Sequence, residues 1–349
     1  MNRIWYVDPK PPPWLLPIEI LFAAVSGFRR WVYASNMRSS ARLACAVIVV
    51  GNLSVGGTGK TPLVCWLVDR LRERGYKPGV VTRGYGGSAR HPRRVTESDD
   101  AALVGDEPIL LARRTAVPVA VGRDRPAGAQ LLIEAGCDVI VSDDGLQHYA
   151  LARDCEIVVV DAERGFGNGH LLPAGPLRES TSRLAQVDAI VVNGAAAAAP
   201  ARAAAGAADL RWAAAPNLMG GEPALTMRLE PLQAVSLLTS RRRGLQEFAG
   251  QTVHAVAGIG NPQRFFNMLT EAGLEVKAHE LPDHAALHPG SIEFGDGLAV
   301  LMTEKDAVKC AAFAASQHWY VPVSAAFEPD EGSVLLGIVT RLIEQRKGS

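Results

Sequence analysis

The stretch Val47-Ile-Val-Val-Gly-Asn-Leu-Ser-Val-Gly-Gly-Thr-Gly-Lys-Thr61 runs from an apolar segment into a glycine-rich turn that ends in Gly59-Lys60-Thr61. It reads as a phosphate-binding loop made of Ser54, Val55, Gly56, Gly57, Thr58, Gly59, Lys60 and Thr61. Glycines let successive backbone N–H groups turn toward phosphate oxygens, a lysine neutralises β/γ charge, and a hydroxyl ligates Mg²⁺. The flanks agree. Val47–Val50 is a β-branched run suited to a buried strand, and Leu63, Val64, Leu67 and Leu71 follow at helical spacing, with Pro62 in the first turn and Gly75 past the end. A helix N-terminus therefore points at the loop and favours an anion. Ser54 stands where phosphate loops usually carry a glycine, and Gly56 and Gly57 supply the flexibility instead. Such a loop predicts nucleotide binding without saying where the phosphoryl group goes.

Composition narrows the class. At 349 residues with 48% hydrophobic content the chain can bury a large core, and its length predicts two domains. Lys+Arg and Asp+Glu are both 36, a balance that argues against a general nucleic-acid binder. Five scattered cysteines, Cys45, Cys65, Cys137, Cys155 and Cys310, show neither disulfide nor zinc spacing and read as small core residues in a reducing compartment.

Before the loop, Pro11-Pro12-Pro13 leads into an apolar run from Trp14 to Val25, too short to span a bilayer. Two readings fit: an interfacial helix, with Trp14, Phe22, Phe28, Trp31 and Tyr33 at headgroup depth and Arg29, Arg30, Arg38 and Arg42 meeting anionic lipid, or an amphipathic helix packed on its own domain. After the loop, Gly79–Thr82 predicts a second strand that delivers Arg83 and Tyr85 to a sheet's C-terminal edge. Asp106 opens the next helix in Gly105-Asp-Glu-Pro108, where position alone favours a helix-start role. The run from Cys137 to Ser142 ends in Asp143 and Asp144, where phosphate-loop enzymes place the carboxylate that holds Mg²⁺; a paired aspartate in a surface turn is the plainer reading. Gln147 and His148 lie just beyond. Buried runs at Glu156–Asp161 and Val187–Val192 complete a doubly wound sheet, and Gly165–Glu179 is a long glycine- and proline-rich loop of lid character. Gly194–Ala208 is alanine-rich and carries no chemistry. Short strands at Leu225–Leu229 and Val235–Leu238 bridge to a second lobe, where a strand at His254–Gly260 precedes a helix capped by Asn261. A strand at Leu298–Met302 precedes Thr303-Glu-Lys-Asp306, and Val334–Leu342 is a closing helix. His284 sits in a loop, where a lone histidine is usually a polar surface group.

Several segments together resemble the tetraacyldisaccharide 4′-kinases of lipid A synthesis over essentially the whole chain. They are Ser54–Pro62, Thr82–Gly86, Gly105–Pro108, Asp143–His148, Phe166–Glu179, Gly258–Phe265, Asp283-His284 and Thr303–Asp306. Ser54 is as that family looks, and the alanine-rich stretch is the main part without a match. The resemblance implies ATP- and Mg²⁺-dependent transfer of the γ-phosphoryl group to the 4′-hydroxyl of a tetraacyldisaccharide 1-phosphate at the cytoplasmic face of the inner membrane. It also moves the N-terminal helix toward membrane docking. Asp106 and His284 would together take the proton from the attacking hydroxyl. Lys60 would stabilise the transferring group, Thr61, Asp143 and Asp144 would hold the metal, and Arg83, Gln147, His148, Asn168, Arg178 and Glu179 would be lid or substrate positions.

The expected fold is a phosphate-loop, doubly wound and mostly parallel α/β sheet with a second, smaller α/β domain and an N-terminal membrane-associated helix. The expected divisions are an interfacial region over 1–42, a kinase domain over 43–210, hinge strands over 211–245 and a smaller domain over 246–349. The rivals are a partitioning- or metallochaperone-type ATPase, which often carries a lysine where Val55 stands, and a non-catalytic membrane scaffold.

Overall fold

A computed structural model describes residues 2–8, 10–194, 224–283 and 285–348. The expected alanine-rich excursion beyond Gly194, the first part of the expected hinge and His284 lie outside the described residues.

Strand β1 (Ala46–Gly51) is buried along its whole length, as an uninterrupted β-branched run requires when both sheet faces are covered. It lies between β5 (Val139–Asp143) and β6 (Cys155–Asp161), parallel to both. Outward on one side come β2 (Pro78–Thr82), β4 (Val119–Val121) and the antiparallel edge strand β3 (Arg93–Val95). On the other side come β7 (Ala189–Asn193), β8 (Leu225–Pro231) and the antiparallel edge strand β15 (Val323–Phe327). Among the described residues this makes a nine-stranded sheet in the order β15-β8-β7-β6-β1-β5-β2-β4-β3.

Helices cover both faces. One layer is built from α3 (Lys60–Glu73), α5 (Asp106–Thr115) and α9 (Pro329–Lys347), which bury Leu63, Leu67, Leu71, Ile109, Leu111, Leu335 and Val339. The opposite face packs under α6 (Arg125–Glu134) and under Leu53, Leu146, Leu177 and Leu184 from loops. The short α4 (Ala101–Val104) precedes α5 directly.

A smaller sheet, in the order β10-β9-β14-β13-β11-β12, contains β9 (Ala234–Ser236), β10 (Arg242–Arg243), β11 (Thr252–Ala257), β12 (Glu275–Glu280), β13 (Val300–Thr303) and β14 (His318–Val321). The helix α7 (Pro262–Glu271) packs Phe265, Phe266 and Leu269 on one face, and α8 (Glu304–Cys310) packs Ala307 and Cys310 on the other. The chain crosses between sheets twice, from β8 to β9 and from β14 to β15, and the two crossings are joined by Leu232 N–H to Pro322 C=O at 2.8 Å.

The end of the chain differs from the expected 246–349 unit. β15 and α9 return to the larger sheet, because the apolar stripe Leu335, Leu336, Val339 and Ile343 fits the face left open beside α3 and β8. The strand β12 has no buried apolar alternation, being an exposed edge, and its side chains therefore gave no periodic signal.

The N-terminal segment comprises α1 (Asn2–Tyr6) and, after a turn at Pro13–Leu15, α2 (Leu16–Ala34). No residue of α2 is buried, and Ile18, Ile20, Leu21, Val25, Phe28 and Trp31 are 47–69% exposed. No described helix is long and apolar enough to cross a membrane. The return of α9 is testable: Leu335→Ala should cost about 2–5 kcal/mol of unfolding free energy, read by urea denaturation of the larger domain's signal.

Candidate active site

The phosphate loop follows β1 in the middle of the sheet, at the carboxyl ends of the parallel strands. Gly59 caps α3 with φ +93°, and a Cβ there would lie 2.5 Å from the Asn193 side-chain nitrogen, so both backbone and space require glycine. Asn193, at the end of β7, donates to the Thr58 carbonyl at 3.0 Å and holds the loop's far side.

Strand β5 delivers Asp143 and Asp144 beside the loop. Lys60 Nζ lies 3.6 Å from Asp144 Oδ1, and Arg178 Nη1 donates to both Asp144 oxygens at 3.0 Å. Arg125, fully buried, donates to the Asp144 carbonyl at 2.7 Å and to Ser142 Oγ at 2.9 Å. Burial alone would raise the Asp144 carboxyl, but Lys60, Arg178 and Arg125 outweigh it and hold the group well below the usual carboxylate range. Asp143 behaves oppositely. Burial, reinforced by Glu107, pushes its carboxyl up to about 7. Its Oδ1 is buried and has no hydrogen-bond partner.

The second lobe comes onto the phosphate loop through the turn between β11 and α7. A Cβ on Gly260 would lie 2.4 Å from the Gly57 nitrogen, so these two backbones meet directly. Asn261, expected as a side-chain cap, makes no cap bond; its amide donates to Glu163 Oε2 at 3.1 Å. Arg264 pairs with Asp161 at 3.1 Å, at the end of β6.

A second contact between lobes runs along α5 and α8: Glu304 with Arg114 at 2.8 Å, Lys305 with Glu107 at 3.4 Å, and Lys309 with Asp106 Oδ2 at 3.4 Å. Lys305 also reaches Asp283 Oδ1 at 3.2 Å. Burial would lower the Lys305 ammonium, and Glu107, Asp106 and Asp283 outweigh it. Lys305 thus links Glu107, the chain neighbour of the buried Asp106, to Asp283, the chain neighbour of His284.

Lys60, Asp143, Asp144, Glu107 and Lys305 line a cavity of about 1310 Å³ to which both lobes contribute, as does α2 through Phe22, Val25, Ser26 and Arg29; Asp106, which is buried, does not line it. Of the expected substrate positions, Arg83, Gln147, Arg178 and Glu179 line it. Two do not. The Asn168 amide donates to the Ile4 and Ala174 carbonyls and braces its own loop. His148 is set behind the cavity wall, where burial and then Arg125, Arg153 and Arg29 push its imidazole down to about 4 and keep it neutral. The reading from sequence missed Arg125, Asn193 and the Tyr149 hydroxyl, which donates to Glu179 Oε2 at 2.8 Å. Arg125 follows a helix-start aspartate with no motif around it, and only the fold turns it inward.

The sequence profile for LpxK, tetraacyldisaccharide-1-P 4′-kinase, matches residues 12–340. The chain belongs to this family. It is 47% identical over 349 residues to the tetraacyldisaccharide 4′-kinase of Methylobacillus flagellatus, covering 99% of this chain and 97% of that protein. To the tetraacyldisaccharide 4′-kinase of Alkalilimnicola ehrlichii it is 49% identical over 343 residues, covering 95% of each. A crystal structure of Aquifex aeolicus LpxK in complex with ATP superposes with a TM-score of 0.75 at 26% identity, covering 94% of this chain and 98% of that one. As an LpxK-family member the chain carries a kinase fold, and the glycine loop, Asn193 and Asp144 lie on the wall of the same cavity.

The Asp143 environment sets a pH dependence. Its folded carboxyl titrates near 7 and its unfolded one near 3.8, so the unfolded chain releases the proton first. Without divalent ions, the wild type should lose stability relative to Asp143→Asn as pH rises from about 4 to about 7, with a constant deficit above, measured by thermal melts of both proteins.

Proposed function

We propose that the protein is an ATP-dependent kinase that transfers the γ-phosphoryl group to the 4′-hydroxyl of a tetraacyldisaccharide 1-phosphate in lipid A synthesis, and that its acceptor is presented from a membrane surface. The observation that carries this reading is one cavity that joins a phosphate loop, the Asp143–Asp144 pair and the start of α5 to an exposed apolar helix. An ATPase needs no such helix. A lipid kinase does, because its acceptor stays in the bilayer.

Lys60 and the loop N–H groups hold the β/γ-phosphates. Asp143 Oδ1 is a buried oxygen without a hydrogen-bond partner, and Thr61 and Asp144 line the same cavity, so the donor set suits Mg²⁺. Bound there, Mg²⁺ would neutralise charge on the transferring group. Asp106, at the positive end of α5, accepts the acceptor's hydroxyl proton with His284 as its partner; the contact of Lys305 with Glu107 and Asp283 supports their approach. Arg178, Glu179, Gln147 and Arg83 take acceptor and phosphate contacts along the cavity. The exposed face of α2 docks peripherally on the inner membrane's cytoplasmic surface, with Trp31 and Phe28 at headgroup depth.

Incubation with labelled ATP and purified disaccharide 1-phosphate should yield a bisphosphorylated lipid. Sustained hydrolysis unaffected by the acceptor would instead indicate an ATPase. Asp106→Asn should lower kcat by about 10²–10⁴-fold with ATP affinity retained, which steady-state kinetics would check. Phe28→Ser combined with Trp31→Ser should weaken cosedimentation with anionic vesicles at least about tenfold; unchanged binding would refute membrane docking through α2.

A further inference from the structure

The apolar helix α2 carries one carboxylate near its start. Glu19 Oε1 accepts from the Leu171 N–H at 2.7 Å, and Oε2 lies 2.9 Å from His170 Nδ1. Beside the exposed Ile18, Ile20 and Leu21, a carboxylate 16% exposed and held by two loop groups is not a solvated surface charge.

From Leu171 a short run of backbone contacts reaches the phosphate loop. Leu171 bridges to Leu177, with Leu172 N–H donating to the Leu177 carbonyl at 2.8 Å. Leu177 bridges to Ser54 of the phosphate loop. Val55 N–H donates to the Pro176 carbonyl at 2.8 Å, and Arg178 N–H donates to the Leu53 carbonyl at 2.6 Å. The side chain of Arg178 then holds both oxygens of Asp144. The N-terminal helix α1 braces the same loop, through Trp5 Nε1 to the Pro173 carbonyl at 3.0 Å and Asn168 N–H to the Trp5 carbonyl at 2.9 Å.

We propose that Glu19 is a positioning residue that ties the seat of α2 to Arg178 and the phosphate loop, so that the nucleotide end of the site is fully assembled only when α2 is docked against the 170–178 loop. The segment 2–34 is then part of the active-site frame in addition to its contact with lipid. The inference rests on the kinase reading above, and it concerns a residue that does not line the cavity.

The test uses the full-length chain with Glu19→Ala, Glu19→Gln and His170→Ala. Three measurements are made: binding of a fluorescent ATP analogue, steady-state kinetics giving kcat and KM for ATP with detergent-dispersed acceptor, and cosedimentation with anionic vesicles. Glu19→Ala should lower kcat by about tenfold or more and weaken analogue binding several-fold, since small misplacements of catalytic groups are costly. Vesicle binding should stay within about twofold of wild type, because removal of one charge from an apolar helix does not oppose insertion. Glu19→Gln, whose amide oxygen still accepts the Leu171 N–H, should recover most of kcat. Should Glu19→Ala not fold, His170→Ala carries the test with a smaller loss in the same two quantities. Wild-type kcat and analogue affinity in Glu19→Ala (or in His170→Ala if that variant stands in), a parallel fall in vesicle binding, or equal losses in Glu19→Gln and Glu19→Ala would each overturn the proposal. A wild-type protein that binds the analogue but phosphorylates no disaccharide would overturn the kinase reading instead, while analogue binding would still report on Glu19.

Discussion

The Asp144 carboxylate is the point on which the site's geometry depends. It sits where β5 ends, with a left-handed φ of +48° that a non-glycine residue adopts readily only if it is Asn or Asp. Three cations from three separate parts of the chain converge on this residue: Lys60 and Arg178 on its carboxylate and Arg125 on its carbonyl. A half-buried anion without them would be destabilised, and three cations without the anion would repel one another. Each group therefore fixes the others. Phosphate loop, lid-like loop and α6 are held in register by one charge cluster.

Asp143 stands one residue away and is treated oppositely. Its carboxyl is buried beside Glu107 and is pushed up to about 7, whereas the neighbouring carboxyl is pulled down. The pair thus offers one group that is anionic whatever occupies the cavity and one whose charge responds to a cation placed beside it. That division fits the nucleotide and metal proposed for this site.

Among the described residues the lobes meet at a backbone contact and at an ion-pair ladder, two places of different character. At Gly57 and Gly260 two backbones touch, which demands glycine on the second-lobe side. Along α5 and α8 the contact is a ladder of ion pairs with Lys305 at its centre. Side chains of this kind can slide and re-pair, while a backbone contact cannot adapt, so the first contact sets the separation of the lobes and the second tolerates adjustment. The two strand crossings at Leu232 and Pro322 complete the connection.

Much of this was legible in the sequence. The phosphate loop, the buried parallel strands and their helices are local features: β-branched runs, helical spacing and glycines at turns report on residues within one element. The Asp143–Asp144 pair was singled out for the same reason, since it ends such a strand, whereas Arg178 was named only through the family resemblance. What sequence could not show is pairing over distance. The edge strands β12 and β15 lack a periodic signal or lie beside a lobe boundary, so their partners were set by which sheet edge was free. Arg125, Asn193, Tyr149 and Glu19 carry no motif, and Glu19 meets its partners from about 150 residues away in the chain. Asn168 and His148 matched the family pattern, yet one braces a loop and the other lies behind the cavity wall. The local pattern determined which elements form and where a phosphate binds. Only the tertiary fold decided which charges share a low-dielectric site, because that depends on burial and distance between segments remote in the chain.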